Sequence, residues 1–458
     1  MYTWIFVCGI LNSFLDACGI GSNDLANSFG TTYGSKVLSV RQIVILAAIC
    51  EFAGAMLLGS SVTSTLAGSI SNVSFFKAQP GVLMYGMLTA LAGSTTWLFT
   101  ASYLGLPVST THSIVGGIMG FSLVYKGVDG VIWTKPTTEF PYTTGFVPIV
   151  VSWITSPLIS AVLSSFFYLS LKYFVLKPKR SAERVIYLLP PMVFVTIFIE
   201  ALFVLSKGAK SRLSWPFEQT LWVSICIGLG AGLLSIAGIP YLQKRLKTFN
   251  EPIRTEVPPM LEDRSVSSTE IVPVDVSGAI VKGEVYDPRL EFVFKYFQIF
   301  TSICTSFAHG ANDVSNAVGP LAAIYYIWKN EAVASKIEVE DWILALGGFG
   351  IIVGLATYGV NIMRILGEKI TYISSSRGFC AELSTALVVS FASRYGLPIS
   401  STQCITGAII GISLCDRDWR HLEWKLFSKI FGSWIFTILI TMGISATLFA
   451  QGVYSPNI

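Results

Sequence analysis

Residues Gly21–Gly30 read GSNDLANSFG, a polar phrase inside an otherwise apolar segment. The chain repeats this phrase as GANDVSNAVG at Gly310–Gly319, so that Asp313 follows Asp24 by 289 positions. Two such similar phrases in apolar surroundings indicate a duplicated unit. Their carboxylate and amide groups would be costly to bury unless something binds them.

A second pair of phrases follows the first in both halves of the chain. Gly105–His112 reads GLPVSTTH, and Gly396–Gln403 reads GLPISSTQ at an offset of 291 positions. The two motifs occur in the same order at nearly the same offset, which supports a duplication. Duplicated halves that meet at a polar site in the middle of the membrane are typical of secondary transporters.

The composition is that of a membrane protein. Of the 458 residues, 52% are hydrophobic and 13% are charged, whereas a soluble domain carries about 25% charged residues. Apolar runs of roughly the 20 residues that cross a bilayer recur along the chain, as in Leu221–Leu242 and Trp342–Ile362. We therefore expect an all-α polytopic membrane protein. The net charge of +4 is too small to indicate a nucleic-acid partner.

We expect three segments, a membrane half over 1–242, a linker over 243–289 and a second membrane half over 290–458. The middle segment is rich in proline, acidic residues and serine, so we expect it to be disordered. Basic residues cluster at Lys177–Arg184 and at Lys244–Lys247, with two spans between them. The positive-inside rule makes the side they share cytoplasmic. We therefore expect a cytoplasmic linker, in a protein of the plasma membrane.

The Gly-Leu-Pro sequence of each second motif must break a helix, and the hydroxyl residues after it begin the next one. Free backbone N–H groups, hydroxyls and the positive end of the helix dipole meet at such a start, which suits an oxyanion such as phosphate. The candidate phosphate-binding residues are Ser109, Thr110, Thr111, Ser400, Ser401, Thr402 and Gln403.

The Asn-Asp phrases supply hard oxygen ligands of the kind that suits Na⁺ or a proton relay. No lysine or arginine lies in any of the four phrases, so a divalent phosphate in a low-dielectric site would need co-bound cations. We favour Na⁺ because amide oxygens ligate a metal ion but carry protons poorly, and we expect no resident cofactor. The candidate sodium-binding residues are Asn23, Asp24, Asn27, Asn312, Asp313 and Asn316.

Further ionisable residues lie in apolar segments. Glu51 and Glu382 are candidate coupling or gating carboxylates, because a carboxylate inside a membrane is functional by default. His112 and His309 are candidate proton carriers, although a simple hydrogen-bonding role is an equal alternative for His309. For Asp16 and for Glu200 we expect pairing inside the protein or at the membrane interface.

The four phrases resemble those of the inorganic phosphate transporter family, the sodium–phosphate symporters related to retroviral receptors. The resemblance covers both halves of the chain and includes the segments around Glu51, His309 and Glu382. Many members have histidine where this chain has Gln403, and glutamine there resembles fungal and protist members. The resemblance implies two inverted-topology repeats with broken helices and re-entrant hairpins, about twelve transmembrane helices, and a homodimer.

These observations favour a secondary transporter that imports inorganic phosphate together with Na⁺ by alternating access. Coupling to protons is one alternative, and transport of another oxyanion such as sulfate is a second. A channel is a lesser alternative, because the site suits binding rather than conduction. An intramembrane enzyme that uses Ser109 and His112 is disfavoured, because no acidic residue orients the histidine and the second copy has Gln403. We therefore expect the protein not to be an enzyme.

Overall fold

The computed structural model describes residues 2–138, 142–178, 185–207, 215–248, 286–334, 337–365, 373–415 and 424–455. Most of the expected linker, residues 249–285, lies outside the described residues, so its disorder and its boundaries stay predictions. The described residues on either side of it are helical. The last helix before it ends at Lys247, and the first helix after it begins at Pro288.

In the first half, the described residues form eight α-helices. They are α1 (Thr3–Gly34), α2 (Val40–Ser69), α3 (Pro80–Tyr103), α4 (Thr110–Lys126), α5 (Phe146–Leu171), α6 (Leu189–Lys207), α7 (Phe217–Ile236) and α8 (Ile239–Lys247). A small antiparallel ribbon of β1 (Lys135–Pro136) and β2 (Thr143–Thr144) lies between α4 and α5. Single helical turns occur at Val73–Phe76, Gly127–Gly130, Lys172–Leu176 and Ile186–Leu188.

The part of the second half that the structure describes forms six helices. They are α9 (Pro288–Asn330), α10 (Asp341–Thr357), α11 (Gly359–Arg364), α12 (Ser375–Arg394), α13 (Ser401–Cys415) and α14 (Trp424–Tyr454). Within the described residues, twelve helices have 15 residues or more. Four of them belong to the two hairpins α3–α4 and α12–α13, so the number of transmembrane helices that the resemblance implies, about twelve, stays a prediction. Six helices in that part of the chain are long and apolar enough to cross a membrane by length and composition alone. The all-α polytopic architecture is confirmed.

Helices α1 and α9, which carry the two Asn-Asp phrases, run antiparallel at the centre of the molecule. Ser13 near the start of α1 donates to the carbonyl of Ala317 near the end of α9 at 3.0 Å. Ser35, just after α1, donates to Gln298 near the start of α9 at 2.7 Å. Equivalent helices of the two repeats thus point in opposite directions, which is the inverted topology that the resemblance implies.

Two helical hairpins, α3–α4 and α12–α13, enter from opposite faces of the molecule. The end of α4 lies beside the end of α2, because the Asn72 amide donates to the Gly130 carbonyl at 2.9 Å. We call this the N-terminal face, because α1 begins there. Helix α12 begins at the opposite face beside the start of α9, where the Ser376 amide donates to Glu291 at 2.9 Å. We call this second face the linker face.

Each hairpin turns at a glycine with positive φ. Gly105 has φ +68° and Gly396 has φ +64°, a backbone conformation that a side chain makes costly. The proline that follows each glycine by two positions lacks an N–H group and so helps to separate the two helices. The predicted helix breaks therefore occur where the Gly-Leu-Pro phrases stand, and they bring both hairpin tips to the middle of the molecule.

Candidate functional site

The tips of the two hairpins touch through a pair of equivalent contacts. The Thr111 hydroxyl donates to the carbonyl of Ile399 at 3.2 Å, and the Thr402 hydroxyl donates to the carbonyl of Val108 at 3.2 Å. All four residues are buried. The two predicted hydroxyl phrases, 291 positions apart in the chain, thus lie side by side.

Ser109 and Ser400 begin the inner helix of each hairpin as capping residues. The Ser109 hydroxyl accepts from the His112 amide and the Ser400 hydroxyl from the Gln403 amide, each at 3.3 Å. A side chain in this position satisfies one of the free N–H groups of a helix start. Two helix N-termini with their positive dipole ends therefore point to one buried region.

The next hydroxyl of each phrase contacts the aspartate of its own half. Thr110 donates to Oδ2 of Asp24 at 2.9 Å, and Ser401 donates to Oδ2 of Asp313 at 2.7 Å. Hydrogen bonds to a carboxylate are stronger than those between neutral groups. Two of the hydroxyls that the sequence predicts as phosphate ligands are thus already bonded to the two carboxylates that it predicts as cation ligands.

Asn27 and Asn316 connect the two halves. Asn27 donates from Nδ2 to Ser401 at 3.2 Å and to Thr402 at 2.9 Å. In the equivalent contact, Asn316 donates to Thr110 at 3.2 Å and to Thr111 at 3.3 Å. Oδ1 of Asn27 is buried and has no hydrogen-bond partner among the described residues, so a hard oxygen ligand is available there.

Asn23 and Asn312 hold the backbone of the two helix breaks. Asn23 accepts from the Val108 amide at 2.9 Å and donates to the Leu106 carbonyl at 3.0 Å. Asn312 donates to the Ile399 carbonyl at 3.1 Å. Because these contacts occupy their amide groups, both residues position the hairpin tips. Their role as sodium ligands stays a prediction.

His309 lies among three buried carboxylates. Its Nδ1 is 2.6 Å from Oε2 of Glu51, and its Nε2 is 2.9 Å from Oδ2 of Asp313 and 3.5 Å from Oδ2 of Asp24. The Nε2 contacts do not have the geometry of a hydrogen bond. Asp24, His309 and Asp313 each place one ligand atom within 4.8 Å of the others, an arrangement that could hold a metal ion.

Even a protonated His309 would balance only one of the three negative charges of Asp24, Glu51 and Asp313 in this cluster. Glu51 joins the cluster through His309 and also accepts from Ser28 at 3.3 Å and from Ser306 at 3.2 Å. Within the described residues, no lysine or arginine forms an ion pair with these three carboxylates. Two unit charges 4 Å apart interact by about 4 kcal/mol at an effective dielectric constant of about 20. Bound cations would therefore stabilise the cluster strongly.

Glu382 occupies a separate pocket on the linker-face side of the cluster. Its carboxylate accepts from four hydroxyls and one amide of α1 and α9, namely those of Thr31, Thr32 (2.7 Å), Thr301 (2.8 Å), Ser302 (2.8 Å) and Gln298 (3.4 Å). Thr31 follows Asp24 by two helical turns, about 11 Å along α1. The pocket is thus distinct from the central cluster but lies on the same two helices.

His112 faces away from the central cluster. Its Nδ1 lies 3.3 Å from the carbonyl of Trp434, and its ring centroid is 4.2 Å from that of Trp153. Gln403 at the equivalent position is buried, and its Oε1 has no partner in the part of the chain that the structure describes. A proton-carrying role for His112 and a phosphate-binding role for Gln403 stay predictions without a contact that favours them.

The sequence reasoning missed the residues that surround the two glutamates. They are Ser28, Thr31 and Thr32 on α1 and Gln298, Thr301, Ser302 and Ser306 on α9. Their spacing of three and four positions continues the face of each helix on which the Asn-Asp phrase lies. Extending the helical period beyond the motifs places these residues on the motif face, but it does not predict that they contact Glu51 and Glu382.

Comparisons with known proteins agree with this arrangement. A model of the phosphate transporter family matches residues 20–445. The chain is 35% identical to the chloroplastic inorganic phosphate transporter 2-1 of Arabidopsis thaliana, over 96% of this chain and 70% of that protein. It is 28% identical to the phosphate-repressible phosphate permease of Neurospora crassa, over 100% and 98% of the two chains. A solved structure of a sodium-dependent phosphate transporter is similar with a TM-score of 0.80, at 32% identity, over 97% of this chain and 98% of that one.

Proposed function

Because the chain belongs to the phosphate transporter family, we propose that it imports inorganic phosphate by symport with Na⁺. The similar solved structure is that of a sodium-dependent phosphate transporter, which supports Na⁺ as the coupling ion. The protein is a transporter and not an enzyme. The residues of the hairpin tips then bind the substrate, and the carboxylates around His309 bind the ions.

One observation carries this proposal. The hydroxyls of Thr110 and Ser401, which a phosphate at the hairpin tips would need as donors, are bonded to Asp24 and Asp313. A hydroxyl has a single hydrogen to donate, so phosphate and carboxylate compete for it. The substrate therefore binds well only when something else satisfies the two carboxylates.

A Na⁺ ion is suited to that task. It would bind the carboxylate oxygens of Asp24 and Asp313 together with the unpartnered Oδ1 of Asn27, and would release the two hydroxyls to the phosphate. The ion would also offset the charge of the substrate, which is prohibitive to bury alone. Sodium and phosphate then bind cooperatively, because each removes an obstacle to the other.

The two hairpins suit alternating access. Each packs on the motif helices from its own face, and the tips meet at the site. Withdrawal of one hairpin would open the site to one face while the other hairpin keeps it closed to the opposite face. The basic residues in the last turn of α8, Lys244, Arg245 and Lys247, lie at the linker face, so we propose that this face is cytoplasmic. Location in the plasma membrane stays a prediction.

Proton coupling is the second candidate, and His309 favours it. Both ring nitrogens lie within 3 Å of a carboxylate oxygen, so the positive charge of a doubly protonated ring would lie between Glu51 and Asp313 and offset part of their charge. A proton on this ring could replace one Na⁺ ion. The amide oxygens of the two motifs are the reason to prefer Na⁺.

Equilibrium binding of radiolabelled phosphate to the purified protein tests the proposal. At constant pH we expect at least about tenfold tighter binding in Na⁺ than in K⁺, since one strong hydrogen bond to a charged group contributes about 1.5–3 kcal/mol. Asp24→Asn should lose this dependence, whereas the exposed Asp129→Asn should keep it. Equal binding in both salts would contradict Na⁺ coupling, and equal competition by sulfate would favour a general oxyanion site.

A further inference from the structure

A further buried carboxylate lies outside the central cluster. Asp16 is fully buried on α1, eight positions before Asp24 and so about 12 Å nearer the N-terminal face. Its Oδ2 is the only buried carboxylate oxygen among the described residues that has no hydrogen-bond partner. An unsatisfied anionic oxygen inside a membrane protein calls for a ligand.

The surroundings of Asp16 consist of neutral oxygen atoms. The Thr95 hydroxyl is 3.4 Å from Oδ1 of Asp16 and 3.4 Å from the backbone carbonyl of Asn12. The Ser94 hydroxyl also lies beside the carboxylate, and it accepts from Ser113 at 2.9 Å. A carboxylate, a carbonyl and two hydroxyls thus converge where α1 meets the hairpin α3–α4.

The other carboxylates in the described part of the chain show that Asp16 is unusual. Glu382 accepts five hydrogen bonds, and both oxygens of Glu200 accept from Ser390. Asp16 accepts one long hydrogen bond, from Thr95 at 3.4 Å, and although Ser94 lies beside the carboxylate, Oδ2 has no hydrogen-bond partner among the described residues. Glu382 is therefore well satisfied and the two oxygens of Glu200 share the one hydrogen of Ser390, whereas Oδ2 of Asp16 has no donor in this part of the chain.

The position of Asp16 mirrors that of the Glu382 pocket. Asp16 precedes Asp24 by eight positions, and Thr32, which donates to Glu382, follows Asp24 by eight. Two carboxylate pockets thus lie at equal distances along α1, one on each side of the central cluster. The pocket of Asp16 packs against the hairpin that enters from the N-terminal face.

We propose that Asp16, with Ser94, Thr95 and the Asn12 carbonyl, forms an additional Na⁺ site on the N-terminal-face side of the central cluster. This inference rests on the proposed sodium coupling. Hard oxygen ligands of this type suit Na⁺, and the ion would compensate the unpartnered carboxylate oxygen. Because Ser94 and Thr95 belong to α3, the bound ion joins the hairpin to α1 and holds the N-terminal face closed.

Counting bound ions tests the site. Saturation binding of ²²Na⁺ to the purified protein should show one fewer ion per chain in Asp16→Asn than in the unchanged protein. Thr95→Val, which removes a ligand but keeps the charge of Asp16, should lower the affinity for that ion at least tenfold. If Asp16→Asn does not fold, the affinity of Thr95→Val alone tests the site. The exposed Asp129→Asn on the same face should bind as many ions as the unchanged protein.

The outcomes separate the two proposals. If the unchanged protein binds no Na⁺, the proposed sodium coupling fails and the site with it. If the unchanged protein binds Na⁺ and both Asp16→Asn and Thr95→Val bind equally many ions with equal affinity, only the additional site is overturned. If Asp16→Asn changes the number of protons taken up but not the number of Na⁺ ions, Asp16 carries a proton and the proposal is likewise overturned.

Discussion

At the scale of single residues, coupling depends on hydroxyls whose one hydrogen is already donated to a carboxylate. Thr110 donates to Asp24 and accepts from Asn316, and Ser401 donates to Asp313 and accepts from Asn27. A buried hydroxyl in such a network cannot be replaced by an apolar group without leaving a carboxylate unsatisfied. The small hydroxyl residues of the hairpin tips are thus as important to the site as its charges.

Substitutions of Thr110 can distinguish the contribution of its hydroxyl to transport from that of its methyl group. Thr110→Val keeps the volume and removes the donor, so we expect phosphate uptake to fall at least about tenfold, from the loss of about 1.5–3 kcal/mol. Thr110→Ser keeps the hydroxyl and should retain most of the activity. Initial rates of radiolabelled phosphate uptake measure both. Equal activity of the valine and serine variants would show that the hydroxyl is not needed.

Substitution of Glu382 tests whether its pocket needs a negative charge. Glu382→Gln replaces an accepting oxygen with an amide that faces hydroxyl and amide donors, and each buried donor left without an acceptor costs about 1–3 kcal/mol. We expect lower thermal stability and loss of transport, while the exposed Glu218→Gln should change neither. Thermal unfolding and uptake are measured on the same preparations. A glutamine variant with full stability and full uptake would exclude a charged role for Glu382.

At the scale of the elements, the helix breaks place the site. Each hairpin tip combines a glycine with positive φ, a proline and a capping serine, and an asparagine of the motif helix holds its backbone. Because the outer and inner helices of each hairpin are separated here, N–H groups and hydroxyls can converge without leaving unsatisfied backbone in lipid. Rigid placement of the tips should therefore depend on the backbone as much as on side chains.

An alanine at a hairpin turn should test this dependence. Gly396 has φ +64°, where a side chain costs about 1–2 kcal/mol, so Gly396→Ala should lower the unfolding temperature and phosphate affinity together. Gly443→Ala on α14 is the matched control, because nothing lies within 4 Å of its added methyl group and alanine is favoured in a helix. Equal thermal stability of the two variants would contradict a strained turn at Gly396.

The sequence predicted many of the helices and both helix breaks. The hydrophobic runs predicted helices, and the Gly-Leu-Pro phrases predicted both breaks, because glycine and proline act locally on the backbone. The partners of Glu382 and His309 were not predictable from local pattern, since each contacts helices far apart in the chain. The direction of His112 depends on how α4 packs against α5 and α14, which the Ser-Thr phrase does not specify.

At the scale of the whole molecule, the inverted arrangement of the repeats gives each face its own hairpin. The first hairpin ends at the N-terminal face, and the second ends at the linker face beside the end of α5, where Lys172 donates to the Cys415 carbonyl at 3.4 Å. The repeated motifs, at nearly the same offset, showed in the sequence that the two halves are related. They could not show that the second repeat is inverted, because a parallel repeat would have the same offset. Only the family resemblance predicted the inversion.

Opposite sidedness of the two faces can be measured by labelling. Asp129, just after α4, and Lys177, just after α5, are both exposed and lie at opposite faces. In intact cells, a membrane-impermeant maleimide should label Asp129→Cys but not Lys177→Cys, relative to the unchanged protein with its own cysteines. Permeabilised cells should label both. Labelling of both residues in intact cells would contradict the arrangement of the faces.

Phosphate uptake into proteoliposomes with Na⁺ and proton gradients imposed separately tests the central claim most directly. The competition of phosphate and carboxylates for the same hydroxyls predicts that an inward Na⁺ gradient drives phosphate above its equilibrium level. It also predicts that an inward proton gradient in K⁺ does not, and that Asp24→Asn abolishes the accumulation. Uptake that ignores Na⁺ and follows the proton gradient would contradict the account and would transfer the coupling role to His309 and its carboxylates.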